Sequence, residues 1–166
     1  MKLLKIFLTF FVFSIFLIGT HSGTFAQDKK ISKENVPQAV LNSFHKTYPK
    51  AVIKGMSTET EKGRTYFEIE SIDGKINRDL LYTAAGNVAE IEETIPSSEL
   101  PKMSMQLIEQ KFPGAKIEKA ERNTSGSKVT YELNVTSKKG KFEVVLNKEG
   151  KIIKSQKASA EEGDGD

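Results

Sequence analysis

Two segments of the chain carry apolar residues at helical spacing, and eight carry them in alternation. Val40, Leu41, Phe44 and Tyr48 recur every three or four positions, as do Met105, Ile108 and Phe112, with Leu107 widening the second stripe. Pro37 and Pro101 stand where a first helical turn loses nothing by lacking an N–H. Pro49 and Pro113 end each run, because the residue before a proline is pushed towards extended geometry. After each helix come four alternating stretches. The first set is 51–59, 64–71, 75–83 and 87–95, and the second is 115–123, 128–136, 141–147 and 151–156. Short Gly-containing links such as "DG", "AAGN", "KKG" and "KEG" separate them and suit hairpins.

The two sets are related by a constant offset. "YPKAVI" (48–53) matches "FPGAKI" (112–117), "FEI" (67–69) matches "YEL" (131–133), and Gly86-x-Val88 matches Gly150-x-Ile152, all 64 positions apart. The expected fold is α+β: two tandem repeats, each a helix followed by a four-stranded antiparallel sheet, with the helices packed on one face. Residues 36–95 form the first repeat and 96–157 the second. Alternation turns Phe67, Ile69, Leu80, Tyr82, Val129, Tyr131, Leu133, Val135, Phe142, Val144 and Leu146 inward. Arg78 breaks this pattern, and its head is expected to reach water near a strand start. The opposite, open face carries Tyr66, Glu68, Glu70, Asp79, Thr130, Glu132, Asn134 and Glu143, the candidate binding residues. The acidic "EIEET" (90–94) reads as charged protection of an exposed edge.

The ends change the picture. Lys2 and Lys5 precede an uncharged apolar stretch, Ile6 to Ile18, and Thr24-Phe25-Ala26 offers small residues for cleavage before Gln27. Residues 1–26 are read as a signal peptide, because an apolar stretch of 13 residues falls short of the roughly 20 that span a bilayer. A periplasmic or secreted protein with no stable membrane span after cleavage is expected. Residues 27–35 are a linker and 158–166 an acidic disordered tail. Cysteine is absent, which excludes disulfides, thiol catalysis and cysteine metal sites. Removing the signal lowers the formal charge from +3 to +1, and no concentrated basic stripe for nucleic acid remains.

Candidate chemistry is sparse. His21 leaves with the signal, so His45 is the sole histidine of the mature chain and no Ser-His-Asp set can form. No enzyme activity, cofactor or resident metal is expected. Glu68, Glu70 and Glu132 could share one wet face as ligands for a hard cation, but no EF-hand-type loop accompanies them.

The succession V-P-x-x-V, F, Y-P-x-A, a Y/F-E-x hairpin and a Gly-x-Val/Ile turn resembles the PepSY-like domains, which are also described as beta-lactamase-inhibitor-like. The resemblance covers roughly residues 34–157. It implies an exported binding module that grips a protein or peptide, such as a peptidase or another envelope enzyme, through the open sheet face. The alternative is a periplasmic small-ligand or cation binder. The chain departs from inhibitor interfaces in having no Trp, with Tyr66 the single aromatic expected on the open face.

Overall fold

The computed structural model describes residues 29–61 and 63–158. The signal sequence and the residues of the acidic tail beyond Ala158 lie outside the described residues. The chain runs β1 (Lys29–Lys30), a 3-10 turn (Lys33–Asn35), α1 (Gln38–Thr47), β2 (Val52–Glu61), β3 (Arg64–Asp73), β4 (Ile76–Tyr82) and β5 (Val88–Thr94). A second 3-10 turn (Ser97–Glu99) leads to α2 (Lys102–Lys111), β6 (Lys116–Ser125), β7 (Lys128–Ser137), β8 (Gly140–Asn147) and β9 (Ile152–Lys157).

All nine strands belong to one antiparallel sheet in chain order, β1 to β9. This corrects the expected fold class of two tandem repeats, each a helix plus a four-stranded antiparallel sheet with the helices on one face, a pattern that leaves the joining of the two sheets open. The overturning observation is the β5–β6 ladder, where Ile91, Glu92, Glu93 and Thr94 pair with Thr124, Asn123, Arg122 and Glu121. Pairing there satisfies backbone groups that two separate sheets would leave on open edges. Residues 90–94 are therefore interior, not edge protection. β1 is a further departure, because Lys29 and Lys30 pair with Thr58 and Ser57 inside the supposed linker.

Both helices start and stop at prolines. Pro37 is the N-cap of α1 and Pro101 that of α2, and each carbonyl accepts a bond from the backbone N–H three residues on, Val40 (2.9 Å) and Ser104 (2.8 Å). Val40, Leu41 and Phe44 of α1 pack with Ile69, Leu80 and Tyr82. Ile108 of α2, with Phe112, packs with Leu133, Val135, Val144 and Leu146 in a separate cluster. Burying a side chain of this size contributes roughly 1.5–3 kcal/mol. Strand register carries these sheet residues along one side, here termed apolar: Leu80 faces Ile91, Glu93 of the same parity faces Arg122, and Ala120 faces Leu133. The β4–β5 and β8–β9 turns press against the helix starts. At Gly86, which has φ 80°, an added Cβ would lie 2.5 Å from the Ala39 carbonyl oxygen.

Arg78 is the clearest departure on the apolar side. It is 7% exposed, with no head in water. Its guanidinium lies 4.5 Å over the Tyr48 ring and its Nη2 sits 3.1 Å from Glu93 Oε2. A buried arginine is tolerable only when so paired.

Candidate functional site

The polar side of the sheet is built from cross-strand rows. Gly55, Glu70, Asp79, Glu92, Asn123, Thr130 and Asn147 oppose one another in turn from β2 to β8. A second row runs Thr94, Glu121, Glu132, Val145 and Lys154. A third joins Lys119, Asn134, Glu143 and Gln156, and Ser57, Glu68, Leu81 and Glu90 form a fourth. Tyr66 faces Glu59 at the β2–β3 end. The register therefore brings all eight candidate residues to one side: Tyr66, Glu68, Glu70, Asp79, Thr130, Glu132, Asn134 and Glu143. The residues of α1 and α2 that join the apolar clusters pack on the opposite side.

These residues are not equivalent. Thr130 is buried and Asn134 exposed, while the acids are half-buried. Ser57 Oγ donates to Glu68 Oε2, Gln156 Nε2 donates to Glu143 Oε2 at 2.7 Å, and Glu121 pairs with Lys119. Glu70 lies over Gly55, where a Cβ would come within 2.8 Å of the carboxylate. Glycine at this β2 irregularity makes room for the acid.

Sequence reasoning missed Glu92 and Glu121, which lie at the middle of the array. Burial, then the charges of Glu68 and Glu70, push the Asp79 carboxyl up to about 7. Burial, then Glu121 and Glu132, push Glu92 up to about 8. Glu132 is raised by burial and by Glu121. Acids placed directly opposite have Cβ atoms about 5 Å apart and disfavour one another's ionisation. Their alternation within each strand was legible; the strand that would face them was not.

The apolar side at the same seam is different. Glu93 accepts from Arg78 Nε at 3.2 Å and from Arg122 Nη2, while Arg122 Nη1 lies 3.7 Å from Glu99. Burial pushes Glu93 up, but the hydrogen bonds and charges of Arg122 and Arg78 outweigh it and hold the carboxyl below its usual value.

Chemically the polar side offers acceptors and negative charge. Among the described residues no group of three or more His, Cys, Asp or Glu is arranged to hold a metal ion. A depression at the start of α1, lined by Lys33, Glu34, Val36, Gln38 and Leu41, includes none of the candidate residues. No helix among the described residues is long and apolar enough to cross a membrane.

A family model described as "Putative beta-lactamase-inhibitor-like, PepSY-like" matches residues 22–90 and again 65–154. The chain belongs to this family. The PepSY-like match takes in every strand of the sheet except the end of β9. Among solved structures, the chain is similar to one described as "putative periplasmic proteins" from Bacteroides eggerthii (13% identity, TM-score 0.58, covering 73% of this chain and 88% of that one). It is similar to a DUF2874 family protein from Bacteroides uniformis (12% identity, TM-score 0.56, 72% and 88% covered). A BLIP-like protein from Bacteroides fragilis also resembles it (15% identity, TM-score 0.55, 74% and 86% covered). At these identities the likeness is one of fold. No curated protein matches the chain.

Proposed function

We propose that this PepSY-like chain is an exported, non-enzymatic binding module that engages a protein or peptide through the polar side of its sheet. One observation carries the reading: a row of acids and other polar groups, Glu70, Asp79, Glu92, Asn123, Thr130 and Asn147, runs unbroken from β3 to β8 on the side opposite the apolar clusters, flanked by shorter rows. Charge complementarity favours a partner that presents lysine or arginine, since the rows hold Glu68, Glu70, Glu90, Glu121, Glu132 and Glu143 against Lys119 and Lys154. Asp79 and Glu92 add charge as pH rises through about 7 and 8. The BLIP-like neighbour supports a protein-binding role, and the neighbour described as periplasmic supports export.

The test is affinity capture from envelope extract with residues 27–166 as bait. Replacing Glu68→Gln, Glu70→Gln and Glu132→Gln together should reduce recovery of a specific partner by about tenfold, a loss of about 1.4 kcal/mol. Equal recovery by the triple variant overturns the site assignment.

A further inference from the structure

Each half of the molecule has its own apolar cluster, one under α1 and one under α2. Between them, β5 and β6 share four register pairs, one fewer than β4–β5 and β8–β9 and five fewer than β2–β3 and β6–β7, and the Ile95 N–H donates to the Ala120 carbonyl just past them at 2.9 Å. The seam is therefore the shortest ladder inside the sheet, with only the marginal β1–β2 pairing shorter. Its two sides carry opposite electrostatics. On the apolar side Glu93 bridges Arg78 of β4 and Arg122 of β6, an attraction across the seam. On the polar side Glu92 of β5 and Glu121 of β6 lie on diagonal positions across it, like charges that repel when both are ionised.

We propose that the β5–β6 seam is a proton-operated hinge: ionisation of the carboxylates on the polar side splays that side, and the halves pivot about the Glu93–Arg122 pair. The groups that face Glu92 are known from every neighbouring strand. Asp79 of β4 lies opposite it, and Glu68 and Glu70 of β3 act in turn on Asp79. Glu90 is in β5 itself, and its carboxylate accepts from Asn123 Nδ2 at 2.7 Å, a hydrogen bond across the seam. Lys119 and Glu121 come from β6 and pair with each other, and the Lys119 charge offsets part of the repulsion at Glu92. Glu132 lies beyond on β7, opposite Glu121. With Asp79 and Glu92 titrating at about 7 and 8, the switch operates between mildly acid and mildly alkaline pH. The hinge stands on the seam itself, whether or not the polar side is a docking surface.

The experiment uses the absence of native cysteine. In residues 27–166, Lys75→Cys and Lys148→Cys place spin labels at exposed turns, one in each half. Pulsed electron paramagnetic resonance then measures their separation from pH 5 to pH 9, with circular dichroism checking the fold at each step. The mean distance should shift by about 2 Å between the extremes, the scale of small packed-element movements. With Asp79→Asn and Glu92→Gln added, the low-pH distance should persist to pH 9. An unchanged distance in the parent protein overturns the hinge, as does an equal shift in the neutralised variant. A broad distribution with lost dichroism also overturns it, since the halves would then unfold and not pivot.

Discussion

Asp79 stands between Glu70 and Glu92 in register, and both its environment and its neighbours oppose its charge. Folded, it titrates at about 7, against 3.8 for an unperturbed side chain. Between those values the folded state binds a proton that the unfolded state has lost. Its stabilising contribution is thus complete below about 3.8 and disappears as pH rises through about 7. Asp79→Asn should match the parent near pH 4 and exceed it by about 2 kcal/mol at pH 8.5, discounted for solvent and for coupling to Glu92. Denaturant midpoints at the two pH values measure this, and an equal gap at both contradicts the sign. The identity of Asp79 as a polar-side residue was legible, because alternation tells which side of a strand each side chain takes. Its perturbation was legible only in part: Glu68 and Glu70 were already placed on its side, but its burial and the charge of Glu121 depend on β5 and β6 extending the sheet beyond β4. A period of two residues says nothing about which strand is next.

The elements themselves followed closely from local chemistry. Proline at 37, 49, 101 and 113 gave helix limits within a residue or two, since a missing N–H and a fixed φ act on the backbone regardless of tertiary context. β1 was hidden, because Lys29 and Lys30 have no apolar alternation and pair only through their backbones. Arg78 was misjudged for a related reason. The groups that make its burial tolerable, Tyr48 and Glu93, come from two other elements. The turn glycines separate local from tertiary demands. Gly74→Ala meets nothing within 4 Å and pays only for its φ of 64°, so it should cost about 1 kcal/mol. Gly86→Ala carries the same backbone strain and drives a methyl into the Ala39 carbonyl. Its cost should be about 3 kcal/mol, read as a lower thermal midpoint than the Gly74 variant.

At the scale of the whole molecule, two separate cores meet at the β5–β6 ladder, where the Arg78–Glu93–Arg122 bridge lies on one side and the Asn123–Glu90 hydrogen bond on the other. Glu93→Gln weakens that bridge while keeping the shape of the side chain. At pH 6.5 the variant should lose about 2 kcal/mol, because Arg78 is left buried with a neutral partner. The folded carboxyl is held below its ordinary pKa, so its contribution is present above the unfolded value and fades as pH falls through the folded one. Parent and variant should converge in chemical denaturation as pH falls through the folded value. The direction of this dependence is opposite to that of Asp79, on the other side of the same seam. The residues of the bridge were visible as charges in the sequence. Their convergence was not, because β5 and β6 are separated in the chain by α2 and meet only in the finished sheet.

Among the described residues the sheet does not close, so it has two lateral boundaries, and each can recruit a further strand. At one boundary β1 caps only two positions of β2, and Val52, 57% exposed, stands outside that cap. At the other, Lys151, Lys154 and Lys157 punctuate the last strand and the residue before it. A second copy laid edge to edge against β9 would set lysine near lysine. Resistance to polymerisation at that boundary is therefore electrostatic, and it weakens as added salt shortens the reach of charge.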